Sequence, residues 1–527
     1  MLEPAQHASA HREQSTRPAS MGLDGAPARE ADDSLAELVS IVRRFAEGLP
    51  SPLLRDHDGA LGPALLAEAR SLGLYGLAIP EAYGGAGLGL GEVAVLVAEL
   101  ARVDRSLATS VGLHNGLGSR SLVEAGSSEL RARYLPELAS GRRIGAFGAT
   151  EPSAGSDLSA IRTLATTDGD ALVLSGEKAY VTNAGLAGVF TILCKSGDPS
   201  AGTTLVLVPR EAEGLTLGAE EHKLGLRASS TRSVFFDRAR VPIGHRIGRE
   251  GRGVMEAHRA LEWGRSLMSA GCLGTARAAL ERTLEHAGQR KQFRRALRSF
   301  GAVRMHLAAM TVSVVAIEAL LAVVADEDAR GGAIEATSTA LKVLASELAG
   351  DACDRAVQVH GALGYVEDAG VALLLRDARV TRIFEGANDV LLVRLGTALL
   401  SGQGLVTRAR TASEPTLDAL HARLAAKVTE IQRGRGVAAV SHQRLLVSLA
   451  RADVWLFSAY TCLARGDALG RESARSLAAT AARHLDDVGH ALDDEASDTS
   501  LVALLDEQGA RLLRPTQFRR TTATSPA

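Results

Sequence analysis

The chain has 527 residues, of which 46% are hydrophobic, 23% charged and 3% aromatic, with a formal net charge of -2. That length accommodates three or four domains, and a core so poor in aromatics has to be built from Ala, Leu and Val, which favours closely packed helices. The near-neutral balance gives no electrostatic case for nucleic acid or an anionic membrane as partner. No apolar run reads as long enough to cross a bilayer. Cys194, Cys272, Cys353 and Cys462 are far apart and form no C-x-x-C pair, so neither a metal site nor a disulfide framework is expected, and a reducing, cytoplasmic setting is.

Residues 1–30 mix Ala, Pro, Ser, Gly, His and charges without periodicity. They hold no apolar signal-peptide core, and Glu3, Glu13, Asp24 and Glu30 argue against a transit peptide, so a disordered tail is expected. Ser34 and Glu37 have capping-box spacing. Leu35, Leu38, Val39, Val42 and Phe45 then share one helical face, opening a helical domain over 31–142. Further helical pattern lies around 62–74, 91–103 and 106–138. Between these, the Gly-rich run Ile79–Gly89 reads as a turn, because its glycines do not fit G-x-G-x-x-G and no βαβ unit surrounds them.

Near residue 143 the pattern changes to short β-like runs: Ile144–Thr150, Ala171–Ser175, Ala179–Thr182, Val189–Cys194, Thr204–Val208 and Ser233–Phe236. Asp168-Gly169-Asp170 and Ser175-Gly176 predict tight turns. This gives a β domain over 143–250. Over 251–402 the pattern is helical again, with helices predicted at 253–288, 299–328, 333–360 and 388–400, a four-helix bundle. A linker, 403–415, leads to a helical extension over 416–515. There Leu417, Leu420, Leu424, Val428 and Ile431 form one stripe, and 445–463 is a longer apolar helix containing Trp455, Phe457 and Tyr460. The expected fold class is α+β, mostly α, with a central β-barrel-like domain between two helical ones.

The segment Arg376-Asp377-Ala378-Arg379-Val380-Thr381-Arg382-Ile383-Phe384-Glu385-Gly386-Ala387-Asn388-Asp389 places a carboxylate on an apolar, Gly-flanked step before a helix. Alone, a Glu before a Gly is ordinarily a solvated turn residue. Six other motifs change that reading. They are Phe147-Gly148-Ala149-Thr150-Glu151-Pro152-Ser153-Ala154-Gly155-Ser156-Asp157, Lys178-Ala179-Tyr180-Val181-Thr182-Asn183-Ala184-Gly185, the run from Lys223 to Thr231, Glu262-Trp263-Gly264-Arg265, Arg290-Lys291-Gln292-Phe293, and Gln358-Val359-His360-Gly361-Ala362-Leu363-Gly364-Tyr365. Each is weak singly. In this order and spacing, over roughly residues 35–400, they resemble the acyl-CoA dehydrogenase family.

The resemblance implies FAD as cofactor and an acyl-CoA as substrate. Phe147, Ala149, Thr150 and Ser156 would contact the flavin and its phosphates, with Ser156 also near the substrate's pantetheine arm. Thr182 would hydrogen-bond the flavin near N5, and Tyr180 stands where a Trp usually packs on the ring. Arg290, with Gln292 and Phe293, resembles the segment that reaches the FAD of a neighbouring subunit. Gln358, Gly361 and Ala362 resemble its companion loop, which implies a homo-oligomer. Ala387 and Asn388 occupy positions beside the cofactor. Glu385 matches the base that removes the α proton while a hydride leaves the β carbon, and Gly386 lets the thioester approach the backbone. Where some subfamilies carry the base before the Arg, this chain has Gly264, so Glu385 is the sole candidate. Glu262 and Arg265 match substrate-contacting positions, although Glu262 also reads as a plain helix ion-pair residue.

Within the family, Ile383–Asp389, the Gly264-Arg265 pair, Ser299-Phe300-Gly301 and the block beyond 415 resemble the very-long-chain subgroup. This implies a homodimer and an electron-transfer flavoprotein as redox partner. The linker is shorter than that subgroup's membrane-binding segment, which argues against membrane attachment. Gly112, Gly116 and Gly118 are candidates for small residues along an acyl channel. Three departures stand out: Ala387 replaces a Thr, Arg294 a Gly and Ala362 a second Gly. They leave two alternatives open, a dehydrogenase acting on a carrier-protein-bound acyl group and a weakly catalytic assembly protein of the same fold.

Overall fold

A computed structural model describes residues 30–197, 200, 202–409, 413–435 and 442–493. The expected tail over 1–30 lies outside the described residues apart from Glu30, as does 494–515 of the extension. The N-terminal helices are α1 (Glu30–Gly48), α2 (Pro52–Asp58), α3 (Pro63–Ser71), α4 (Leu90–Val103), α5 (Arg105–Leu113), α6 (Arg120–Ala125) and α7 (Ser128–Ala139). Local chemistry sets their ends. The Ser51 hydroxyl accepts from Leu53 N–H ahead of Pro52, and Gly59 closes α2 in the left-handed conformation. Asp104 caps α5 by accepting from Leu107 N–H, and Ser127 caps α7 through Leu130 N–H.

The single helical stretch expected over 106–138 is broken. A wide π-type turn spans His114–Gly118, where a Cβ on Gly118 would lie 2.7 Å from the Gly145 carbonyl oxygen. The glycines let the turn press directly on the first strand, and an unbroken helix would not fit there. The Gly-rich loop over 79–89 is a folded turn, as expected. Gly87 N–H donates to Ile79 O and Leu88 N–H to Leu77 O.

The strands are β1 (Ile144–Gly148), β2 (Leu164–Asp168), β3 (Ala171–Thr182), β4 (Ala187–Ser196), β5 (Thr203–Pro209), β6 (Leu215–Glu220), β7 (Thr231–Pro242) and β8 (Arg246–Gly251). They form one mixed sheet in the order β6-β7-β3-β2-β4-β5-β8, with β1 parallel to β4. Strand β2 joins the two halves. It runs antiparallel to β3 along its length but meets β4 only at Leu164↔Lys195 and Ala165↔Ser196. The halves close around Leu174, Val181, Phe190, Ile192, Val206, Val234 and Phe236, the barrel-like core expected.

Ser175-Gly176 is not a turn. It is a bulge inside β3, where Gly176 has φ 138 and a Cβ would sit 2.7 Å from Thr163 Cα. The two runs predicted on either side of it are therefore one strand.

The bundle comprises α8 (Gly253–Glu256), α9 (His258–Gln289), α10 (Gly301–Ala329), α11 (Glu335–His360), α12 (Ala362–Tyr365), α13 (Val371–Arg379) and α14 (Asn388–Leu400). Between α9 and α10 lies a small hairpin, β9 (Lys291–Gln292) with β10 (Arg295–Ala296). The extension adds α15 (Val406–Ala409), α16 (Pro415–Arg435), α17 (Gln443–Ala464) and α18 (Ala468–Asp493). The start of the expected linker is docked: Leu405 and Val406 are buried, and their N–H groups donate to Asp453 of α17.

The expectation about membrane-length apolar runs is corrected as well. Helices α10 and α17 are both long and apolar enough to cross a membrane. In this fold α17 is an interior helix and α10 is buried over about half of its apolar stretch, and Met310, Leu320 and Val324 of α10 share one apolar core with Leu449, Leu456 and Phe457 of α17. The four cysteines are buried and unpaired.

Candidate active site

A cavity of about 470 Å³ opens where the sheet, the N-terminal helices and the bundle meet. Helical periodicity aims its walls. Arg105, Ala108, Thr109 and Gly112 of α5, and Leu261, Gly264, Arg265 and Met268 of α9, recur at intervals of three and four, so each set lies on one face. The third wall is the sheet edge, with Phe147, Ala149, Thr150, Ser156, Tyr180 and Thr182. The fourth is the segment from Phe384 into α14.

On the sheet edge, Tyr180 has φ 56 at an irregularity between Lys178 and Val181, and its side chain is 66% exposed. Behind it, the buried Lys178 ammonium donates to Glu151 at 2.7 Å and to the Ala149 carbonyl at 3.1 Å. Glu151 also accepts from the N–H groups of Arg162 and Thr163. Burial works against its charge, but Lys178 and these donors overcome it and hold the carboxyl at about 2. This ion pair clamps the Thr150 and Tyr180 segments together. Asn183 then ties the strand end to α5 by donating to the Ser110 carbonyl.

Glu385 faces the cavity from a strained step. Its φ is 55, the left-handed region. Two cations hold that conformation by their grip on successive carbonyls. Arg265 Nε donates to Glu385 O at 3.2 Å, and the buried Lys342 ammonium donates to Gly386 O at 2.6 Å and to Asn388 Oδ1 at 2.7 Å. Glu385 is half-buried as a residue, but its Oε2 is shut off from solvent and has no hydrogen-bond partner among the described residues. Burial pushes it from 4.5 up to about 7, against the pull of Arg265, Lys342 and Arg105. A Cβ on Gly264 would lie 3.1 Å from that oxygen and 2.8 Å from Leu117 Cγ, so glycine there makes room for the carboxylate.

The first half of the Arg376–Asp389 segment is structural. Asp377 accepts from Leu226 N–H, where Leu226 has φ 49. Arg376 pairs with Asp56 at 2.6 Å and donates to Leu224 O. These bonds pin the Lys223–Thr231 run to the segment carrying Glu385.

The structure thus gathers Phe147, Ala149, Thr150, Ser156, Tyr180, Thr182, Arg265, Glu385, Gly386 and Ala387 around one cavity. Two residues expected there are not in its lining. The Asn388 amide is used inside the fold, donating to Ser346 and Glu347 and accepting from Lys342. Glu262 turns to its own helix, with Arg259 at 3.3 Å and His258 at 3.4 Å, the ion-pair alternative raised above. Of the acyl-channel glycines, Gly112 lines the cavity, whereas Gly116 and Gly118 serve close packing against Gly264 and Gly145.

Arg290, Gln292, Phe293, Gln358, Gly361 and Ala362 also lie outside the lining, with Arg290 about 33 Å along α9 from Met268. They gather instead at that end of the bundle, where the His286 and His360 rings stack 4.3 Å apart. Sequence reasoning missed Lys342, Lys178 and Arg105. The small, apolar neighbours of Lys342 in Ala340-Leu341-Lys342-Val343-Leu344 were the available signal that it is buried.

The chain matches the acyl-CoA dehydrogenase N-terminal domain over residues 32–142, the middle domain over 146–239 and the C-terminal domain over 251–400. It is 34% identical to an acyl-CoA dehydrogenase of Bacillus subtilis over 366 residues, covering 69% of this chain and 97% of that one. The chain belongs to the acyl-CoA dehydrogenase family.

It is also 36% identical over 382 residues to the human mitochondrial very long-chain specific acyl-CoA dehydrogenase, covering 70% of this chain and 58% of the human protein's length. A Bacillus anthracis acyl-CoA dehydrogenase solved in complex with FAD superimposes with a TM-score of 0.77 at 25% identity, covering 87% of each chain. That reach takes in most of the extension. A prolyl acyl carrier protein oxidase superimposes with a TM-score of 0.67 at 28% identity, covering 69% of this chain and 98% of its own.

FAD is the cofactor of the family, and the sheet edge fits it. Among the described residues, no hydrogen bond is formed by the hydroxyls of Thr150, Ser156 or Thr182. Tyr180 presents an exposed ring beside them. These are the spare donors and the flat surface that an isoalloxazine requires.

Proposed function

We propose that this protein is an FAD-dependent dehydrogenase that oxidises a fatty acyl-CoA thioester across its α and β carbons, leaving the trans-2-enoyl thioester. The observation that carries this reading is Glu385, a buried carboxylate with a free oxygen and an affinity for protons near neutrality, in the same cavity as Tyr180 and Thr182. Bound FAD supplies the acceptor for the β hydride.

The chain's residues do the rest. Glu385 takes the α proton. Its own backbone N–H donates to no group among the described residues, so it is available to the thioester oxygen as negative charge develops there. Gly386, at φ 104, lets that oxygen come close. Arg265 and Lys342 fix the two peptide groups in place. An acyl chain filling the cavity removes the remaining water and strengthens the base.

The test is anaerobic flavin bleaching by saturated acyl-CoAs of graded length. The expected result is rapid bleaching by at least one chain length, with Glu385→Gln slower by about 10²- to 10⁴-fold. Absence of bleaching with every chain in the flavin-loaded protein overturns the reading. An electron-transfer flavoprotein is the proposed acceptor for the reduced flavin.

A second reading, action on an acyl group carried by a carrier protein, is favoured by the likeness to the prolyl acyl carrier protein oxidase. Turnover of one acyl chain on CoA and on carrier protein separates the two.

A further inference from the structure

Arg105 opens α5 and lines the cavity, yet it is only 4% exposed. A guanidinium has five N–H donors. Among the described residues only Nη2 is used, with the Met268 carbonyl at 3.1 Å and Cys272 Sγ at 4.0 Å. Its Nε is buried with no partner. No carboxylate forms an ion pair with it among the described residues. The adjacent Asp104 is committed to Arg55 at 2.6 Å and to the cap of α5. Arg265, in the same cavity, differs in having both Nε and Nη1 engaged.

Room for Arg105 comes from Gly271, where a Cβ would sit 1.1 Å from Arg105 Nη1. Any side chain at 271 would force the guanidinium out. A buried, underused cation of this kind is costly unless something pairs with it. The partner whose geometry matches a guanidinium fork is a carboxylate.

The cavity also sets a distance. Gly264 touches the Glu385 carboxylate, while Met268 and Gly271 touch Arg105. On α9 these lie four and seven residues beyond Gly264, about 6–10 Å along the axis. The wall between, Ala108, Gly112 and Leu267, is apolar or small.

We infer that the site takes a short acyl thioester bearing a terminal carboxylate a few carbons beyond the reacting bond, with Arg105 binding that carboxylate. This rests on the dehydrogenase reading above.

The test compares hexanoyl-CoA with adipyl-CoA, its analogue carrying a terminal carboxylate, using the full-length, FAD-loaded protein. The expected result is a kcat/KM about tenfold or more higher for adipyl-CoA, as a site with an unpaired polar group rejects the analogue that leaves it unpaired. Arg105→Met should lose that preference and gain on hexanoyl-CoA, and Arg105→Lys should keep part of it. Equal or reversed preference in the wild type overturns the inference, with no variant needed. So does an Arg105→Met variant that slows both substrates alike, since that places Arg105 only in the field of Glu385. If no thioester of the graded series bleaches the flavin either, the dehydrogenase reading fails. Calorimetric binding of the two thioesters then still decides the role of Arg105, tighter binding of adipyl-CoA supporting it and equal binding overturning it.

Discussion

Glu385 combines three costs at one residue: burial, an unpaired carboxyl oxygen and a left-handed backbone. Their common product is a base that titrates near neutrality. kcat/KM should therefore rise with pH up to about 7 and level off above it, and a flat profile across that range would exclude Glu385 as the base. The same shift has a stability consequence. Because the folded pKa is raised from 4.5 to about 7, stability is full below the unfolded value and is lost as pH rises through the folded one. At about 1.4 kcal/mol per unit the ceiling is roughly 3 kcal/mol. Glu385→Gln should then melt higher than the wild type near pH 8, with the difference gone near pH 4, as thermal unfolding at the two pH values would read. Lys342 acts on the same group through charge and through the Gly386 carbonyl. Lys342→Met removes a cation that favours the ionised carboxylate, so the acid limb of kcat/KM should move to higher pH. Stability should fall by about 1–3 kcal/mol from the acceptors left unsatisfied on Gly386 and Asn388. An unmoved limb would confine Lys342 to a structural role.

At the scale of elements, the base segment is held from behind. Helix α14 starts three residues after Glu385 and crosses α17 so closely that a Cβ on Gly396 would lie 2.2 Å from the Leu446 carbonyl oxygen. Gly396→Val should push the two helices apart and cost about 1–3 kcal/mol, read by denaturant unfolding, with flavin reduction slowed because α14 carries the far side of the cavity. An unchanged midpoint would show that the extension packs more loosely than this contact implies. These helices were legible in sequence because apolar residues recur along them. The short strands β2, β6 and β8 were not. Leu164-Ala165-Thr166-Thr167-Asp168 is half polar and stands as a strand only because β3 and β4 flank it. Gly176 looked like a turn because glycine marks both turns and bulges, and only the nearness of Thr163 tells them apart. Helix α13 passed unnoticed because its Arg376 and Asp377 are spent on an ion pair and hydrogen bonds with distant segments. At the site, Glu385, Thr182 and Tyr180 were readable from their motifs. Lys342 and Arg105 were not, since a lone cation in a helix reads as a solvated face, and burial is a property of the packing around it.

At the scale of the whole molecule, the cavity accounts for only part of the motif set. Arg290, Gln292, Phe293 and Gln358 stand together at the bundle end marked by the stacked His286 and His360, away from every residue that touches Glu385. Phe293 is 88% exposed and Tyr365 85%, with Leu363 and Val366 about half exposed beside them. Exposed apolar side chains, one of them Phe293 at the tip of a two-residue-stranded hairpin that follows Arg290, bury nothing within one chain. Their use is clear if a second copy brings a flavin pyrophosphate to Arg290, because a guanidinium fork suits that group and the exposed rings gain burial against the partner. The protein should therefore be an oligomer in solution by light scattering. Phe293→Asp should shift it toward the monomer and lower FAD occupancy together, whereas Arg290→Ala should lower FAD occupancy with the assembly kept. Measuring mass and flavin absorbance on the same elution peak separates these outcomes. A monomeric wild type that retains FAD, or a Phe293→Asp variant that dissociates without losing flavin, would show that one chain binds the cofactor alone.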